Sequence, residues 1–155
     1  MTIETGKAFL GKTIVVSGAS SGIGRAIAIH LAQQGAGLVL IGRSRKQLEE
    51  TAKLAQTPVC RTIELDLNRQ ADIMPAIKDT AAAVGRLYGL CHAAVTVETL
   101  PLSATSPEKI QTMLQVNYMS GMELARAITR RDILNEDGGA LLFISAIYGL
   151  IGKPG

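Results

Sequence analysis

The apolar run Thr13-Ile14-Val15-Val16 passes directly into Ser17-Gly18-Ala19-Ser20-Ser21-Gly22-Ile23-Gly24. That octet passes in turn into Arg25-Ala26-Ile27-Ala28-Ile29-His30-Leu31-Ala32. A continuous apolar run reads as a strand buried on both faces, and the segment after the glycines has helical periodicity. Glycine lets the backbone turn sharply and approach a ligand with no Cβ in the way. The unpaired N–H groups of the first helical turn, with the helix dipole, then favour an anion. A strand, a glycine turn and a helix in this order belong to an α/β layer structure, with the turn as its phosphate site.

The glycines at 18, 22 and 24 give G-x-x-x-G-x-G. A phosphate P-loop needs Lys-Ser/Thr after its last glycine, and here Ile23-Gly24-Arg25 stands instead. The wider Rossmann fingerprint for dinucleotides is G-x-G-x-x-G. A glycine turn alone also serves as a plain tight connection, so the rest of the chain must decide.

Five strands alternate with helices. Strand one covers about 13–17, and helix one runs from near Gly22 to Gln34, where Gly35-Ala36-Gly37 stops it. Strand two is Leu38-Val39-Leu40-Ile41. Ser44 is placed to cap a charged helix from Arg45 to Gln56, which Thr57-Pro58 breaks. Strand three is Val59 to Leu65, Asp66 ends it, and Asn68 is placed to cap helix three, which extends to about Val84. Strand four is Leu87 to His92, followed by a loop from Ala93 to Thr105. Ser106-Pro107 opens one long helix, with an N-cap serine and a proline preset for the first turn. Its stripe is Ile110, Met113, Leu114, Asn117, Gly121, Leu124 and Ile128. Gly138-Gly139 introduces strand five, Ala140 to Ser145, and a glycine-rich loop comes after it. The alternation predicts a doubly wound parallel sheet, a Rossmann fold in the order 3-2-1-4-5. Ligand is expected where strands one and four diverge, at the carboxyl ends of the strands.

Composition narrows the function classes. The 155 residues, 47% of them hydrophobic, suit one domain with a sizeable core. No apolar run approaches the roughly 20 residues of a membrane span. Residues 1–10 hold Glu4 and Lys7 and no signal-peptide core, so a cytoplasmic protein is expected. The formal charge of +3 is modest and its bases are scattered, which disfavours nucleic acid as a partner. Cys60 and Cys91 have no metal-ligand spacing, so no metal site is expected, and both read as reduced, buried thiols.

Strand two ends in Gly42-Arg43-Ser44. NAD enzymes usually place a carboxylate there for the ribose hydroxyls. With none present, Arg43 can pair with a 2′-phosphate, which favours NADP(H) over NAD(H). Asn117 is the polar outlier of its stripe. A buried amide left without partners costs about 1–3 kcal/mol, so its bonds should be met.

Taken together, these residues make the chain similar to the short-chain dehydrogenases/reductases, whose fingerprint is T-G-x-x-x-G-x-G. Ser17-Gly18…Gly22-x-Gly24 matches it with Ser for Thr, and the resemblance spans residues 10–155. It implies a pyrophosphate on Gly18, Ser20, Ser21, Gly22, Ile23 and Gly24, and a 2′-phosphate on Arg43 and Ser44. It implies adenine beside Asp66 and Leu67, the family's D-[VL] pair, and nicotinamide beside Ala93 and Ala94. The family's N-N-A-G after strand four is replaced by His92-Ala93-Ala94-Val95. Val116-Asn117 resembles the family's V-N pair, whose Asn supports a water-linked proton relay.

Two departures bear on catalysis. Aligned on Gly149, the family's catalytic serine falls at Ala146, with Ser145 one place early on the opposite face of the strand. The family's Y-x-x-x-K pair has no match in the 155 residues, so a single dinucleotide-binding domain truncated before that pair is expected. The resemblance implies hydride transfer between NADP(H) and a small carbonyl or alcohol substrate, in a homo-oligomer when full length, with the 155 residues alone inactive. The alternative is a catalytically impaired NADP(H)-binding protein, which Ala146, His92 and Ala93 favour. A methyltransferase ranks last, because it wants an acidic residue where Gly42 stands.

Overall fold

The computed structural model describes residues 7–151, with Leu102 and Tyr148 described by their backbone alone. The polar lead-in before Lys7 and the glycine-rich tail from Gly152 lie outside the described residues. Five parallel strands form one sheet: β1 (Thr13–Ser17), β2 (Gly37–Gly42), β3 (Cys60–Glu64), β4 (Gly89–His92) and β5 (Ala140–Phe143). Their order is β3-β2-β1-β4-β5, as the alternation of elements predicts. The helices are α1 (Gly22–Gln33), α2 (Arg45–Ala55), α3 (Ile73–Val84), α4 (Pro107–Leu114) and α5 (Ser120–Ile128).

Period-two alternation along β1 sorts the core into two layers. Ile14 and Val16 join Ala28, Leu38, Leu40, Leu48 and Ala55 on the side of α1 and α2. Val15 joins Val39, Ile41, Ile73, Ile77, Leu90, Leu124 and Ile128 on the side of α3 and α5. Both layers are needed for a sheet whose central strands are apolar on both faces. Each fully buried Leu or Ile contributes roughly 1.5–3 kcal/mol relative to exposure.

Several boundaries differ from the sequence expectation. Strand three is shorter at both ends, and strand four loses Leu87 and Tyr88, Leu87 making only an isolated bridge to Leu134. Asn68 does not cap helix three. It bonds back to Asp66, and a 3₁₀ turn over Gln70–Asp72 precedes α3. The reason is local: an Asp two residues before Asn forms an Asx turn, which takes the Asn N–H and side chain. The helix opened by Ser106 is not continuous, because a π-helical turn over Gln115–Met119 separates α4 from α5. Its stripe is correspondingly covered only in part. Leu124 and Ile128 are buried, whereas Ile110 and Leu114 are exposed, Leu114 by 57%. The Asn117 side chain is exposed as well, not buried. Strand five ends at Phe143, so Ser145 and Ala146 come after the strand and strand alternation does not govern them. Cys91 is buried, but Cys60 is only half-buried, and both thiols are free.

Candidate functional site

The carboxyl ends of β1, β2 and β4 converge on the glycine turn. Gly18 has φ +71, and a Cβ there would lie 2.7 Å from the Ala94 Cα and nitrogen. The turn therefore rests on the Ala93-Ala94 backbone, which the Ala93 N–H ties to the Ser17 carbonyl at 3.2 Å. A Cβ on Gly24 would overlap the Gly18 carbonyl oxygen, so α1 begins directly against the turn. This cradle exists because no side chain fills it, and it is the fit that a pyrophosphate requires.

Ser21 stands at the N-cap of α1 but makes no side-chain cap. Its counterparts do cap: Ser44 accepts from the Gln47 N–H at 3.4 Å, and Ser106 from the Lys109 N–H at 3.4 Å. The first-turn N–H groups of α1 are thus left by their cap residue for another acceptor. Ser21, Gly22 and Ile23 are exposed at this turn, Ile23 by 62%.

At the end of β2, Gly42 is buried under Ser20 and Leu48. A Cβ at 42 would overlap the Ser20 hydroxyl and lie 3.2 Å from Leu48 Cδ2. Ser20 thus occupies the space where an acidic side chain would start. Arg43 next to it is exposed, and among the described residues it holds no ion pair. Asp66 is exposed, its Oδ1 accepting from the Asn68 N–H at 3.0 Å. Leu67 is buried in the core on the α3 side, so its side chain is not open to a ligand.

Asn117 lies on the π-helical turn and pairs with the backbone of Thr96. Its Oδ1 accepts from the Thr96 N–H at 2.8 Å, and its Nδ2 donates to the Thr96 carbonyl at 2.9 Å. The exposed amide, which water could also satisfy, uses both its groups to tie the loop after β4 to the helix. Beside it, Ser120 Oγ donates to the Val116 carbonyl at 2.7 Å.

His92 is 2% exposed, and its Nδ1 pairs with Ser17 Oγ at 2.7 Å. Burial pushes its pKa down from the ordinary 6.5, against the opposing pull of the Asn117 and Val116 carbonyls that the ring faces. Its Nε2 nonetheless has no hydrogen-bond partner among the described residues. The ring lies against Gly121, where a Cβ would stand 2.9 Å from His92 Cδ2. His92 is therefore packed into the sheet–helix interface, between Ser17, Gly121 and Phe143. Ala146 is exposed and extended, one step before a 3₁₀ turn over Ile147–Gly149, with no hydroxyl to offer.

Two residues of the site have no motif to announce them. Arg25 Nε donates to Thr51 Oγ1 at 2.9 Å, and a second guanidinium nitrogen donates to the Ser20 carbonyl. Thr51, fully buried, donates from the same hydroxyl to the Ala19 carbonyl at 2.9 Å. The sequence signal for them is faint: a charge in the first turn of an apolar helix, and a hydroxyl on the Leu48–Ala55 stripe of α2.

Residues 12–155 match the family model described as short chain dehydrogenase, and the chain belongs to that family. An uncharacterized oxidoreductase of Staphylococcus epidermidis is 30% identical over 138 residues, covering 89% of this chain and 59% of that protein. The very-long-chain 3-oxoacyl-CoA reductase-B of Danio rerio is 29% identical, covering 94% of this chain and 48% of its own. Among solved structures, the citronellol catabolism dehydrogenase of Pseudomonas aeruginosa PAO1 superimposes with a TM-score of 0.84 at 29% identity, over 99% of this chain and 63% of that one. The chain thus spans about half to three fifths of these relatives' length. No helix among the described residues is long and apolar enough to cross a membrane, and no group of His, Cys, Asp and Glu there is arranged to hold a metal.

Proposed function

We propose that this chain supplies the NADP(H)-binding half of an oxidoreductase acting on a small carbonyl or alcohol. The observation that carries the cofactor choice is the end of β2, where Ser20 fills the space beyond Gly42 and Arg43 stands exposed beside it. A carboxylate at 42 would repel a 2′-phosphate, and an arginine at 43 attracts one through charge-assisted bonds. Gly18, Ser20, Ser21, Gly22, Ile23 and Gly24 hold the pyrophosphate, Arg43 and Ser44 the 2′-phosphate, and Asp66 with the Leu67 backbone the adenine. Ala93 and Ala94 line the nicotinamide side. Bound nicotinamide would supply or accept the hydride.

The chain's own residues set the remainder. Asn117, both ends of its side chain held by Thr96, fixes the loop after β4 against the π-helical turn. Ala146, at the position of the family's serine, provides no donor to a substrate oxygen. The names of the relatives, reductases and dehydrogenases, support the enzymatic reading over the regulatory one.

The test is a fluorescence titration of the protein with NADPH and with NADH. NADPH is expected to bind more tightly, and Arg43→Ala should weaken NADPH about ten- to a hundredfold while sparing NADH. Equal losses for both nucleotides would remove the assignment of Arg43.

A further inference from the structure

Resting on that reading, we infer that Thr51 and Arg25 are positioning residues that hold the pyrophosphate turn and the 2′-phosphate site in one register. The two anion sites sit on different segments. The pyrophosphate turn, Gly18–Gly24, comes after β1, and the Arg43-Ser44 site comes after β2 and opens α2. A dinucleotide has a limited span between its pyrophosphate and its 2′-phosphate. The separation of these segments must therefore be set before binding if affinity is not to be lost in ordering them.

The hydrogen bonds that set it are present. Residue Ala19 is held through both of its peptides: its N–H donates to the Ile41 carbonyl of β2 at 3.2 Å, and its carbonyl accepts from Thr51 of α2 at 2.9 Å. Arg25, from the first turn of α1, donates into the same Thr51 oxygen and onto the Ser20 carbonyl. Its guanidinium also reaches the Gln47 carbonyl at 3.4 Å and Glu50 at 3.5 Å, both on α2. One hydroxyl and one guanidinium thereby join β1's turn, α1 and α2. The buckle also fixes Ser20, the residue whose hydroxyl fills the space beyond Gly42. The Thr51 hydroxyl lies within reach of the Ala19 carbonyl at 2.9 Å and of the Gln47 carbonyl one turn back on α2 at 3.1 Å, and valine has the same shape without either bond.

Thr51→Val and Thr51→Ser separate shape from hydrogen bonding. Two measurements are made on the parent and each variant: titration with NADPH and NADH, and amide hydrogen exchange at Ala19, Ser20 and Ser21 without nucleotide. Thr51→Val should weaken NADPH about tenfold and narrow the NADPH-to-NADH preference. It should also speed exchange at Ala19 about tenfold relative to Val15 and Val39, because the Ala19 N–H keeps its Ile41 partner but the residue loses the anchor on its carbonyl. Thr51→Ser should restore the parental values of both. Arg25→Met leaves the Thr51–Ala19 bond in place but releases the Ser20 carbonyl, so it should weaken NADPH and narrow the NADPH-to-NADH preference as Thr51→Val does, and it serves as the reading if Thr51→Val fails to fold. A Thr51→Val protein with parental exchange and a parental NADPH-to-NADH ratio overturns the positioning role. So does an affinity loss that is equal for both nucleotides and tracks thermal stability alone. If the parent binds neither nucleotide while Thr51→Val still loosens Ala19, the nucleotide-binding reading fails, and the positioning role falls with it.

Discussion

Ser20 and Gly42 show how a single missing side chain carries information. Gly42 reads in the sequence as an absent carboxylate, but the structure adds that the Ser20 hydroxyl occupies the vacated space. His92 is the second residue whose meaning depends on its surroundings. It replaces an Asn of the family's pattern and is buried against Ser17, Gly121 and Phe143, the last with ring centroids 5.9 Å apart. Its pKa, lowered mainly by burial, lies below the ordinary 6.5. The unfolded chain then binds this proton more readily than the folded one, so stability rises with pH across that range. The contribution is complete above about 6.5 and is lost as pH falls below it. Urea midpoints at three pH values between about 5.5 and 7.5 should therefore fall on acidification, and the fall should be shallower in His92→Phe. Parallel curves for the two proteins would mean that His92 does not titrate on unfolding.

Among the elements, the helix opened by Ser106 departs furthest from its periodicity. A stripe at 110, 113, 114, 117, 121, 124 and 128 predicts one continuous helix with one covered face. The π turn over Gln115–Met119 breaks it, and only the α5 half packs on the sheet. A π turn inserts an extra residue and rotates the next helical segment, so a 3.6-residue pattern cannot hold its face across it. Gly121 belongs to this element for reasons of space: His92 Nε2 and Phe143 Cε1 would both stand 3.0 Å from a Cβ there. Gly121→Ala should gain helix propensity yet destabilise the fold by about 1–3 kcal/mol through overpacking. Chemical denaturation checks it. A stabilised variant would show that the His92 ring has room to retreat.

At the scale of the whole molecule, the sheet gathers the glycine turn, the Arg43 corner and the Ala93-Ala94 backbone at one end, because parallel strands place every βα turn on the same edge. What this assembly does not bring is a hydroxyl at 146. An oxyanion donor is typically worth about 2.7–4 kcal/mol of barrier. In a protein carrying these residues together with a Y-x-x-x-K pair, Ala146→Ser should raise the rate of carbonyl reduction about a hundredfold or more. Stopped-flow NADPH oxidation over a set of ketones and 3-oxoacyl thioesters measures it. Equal rates would mean that another group, such as the adjacent Ser145, donates the bond.

The alternation of strands and helices, the cradle glycines and the caps at Ser44 and Ser106 are legible in the sequence alone, because each depends on local chemistry: apolar runs, residues without a Cβ, and hydroxyls before helices. The strand order follows from that alternation through right-handed crossovers. The D-L pair at Asp66-Leu67 is legible as a turn, but the capture of Asn68 by Asp66 is not, since two competing local bonds are open to the same residue. Neither the Thr51–Arg25 pairing nor the Thr96–Asn117 pairing leaves a trace in the sequence, and the same holds for the packing of His92 on Gly121. Each of these joins residues at least 21 positions apart, and no periodicity records which distant group a side chain will meet. Tertiary structure decided them, by bringing the ends of three strands and the first turns of two helices within hydrogen-bonding reach of one another.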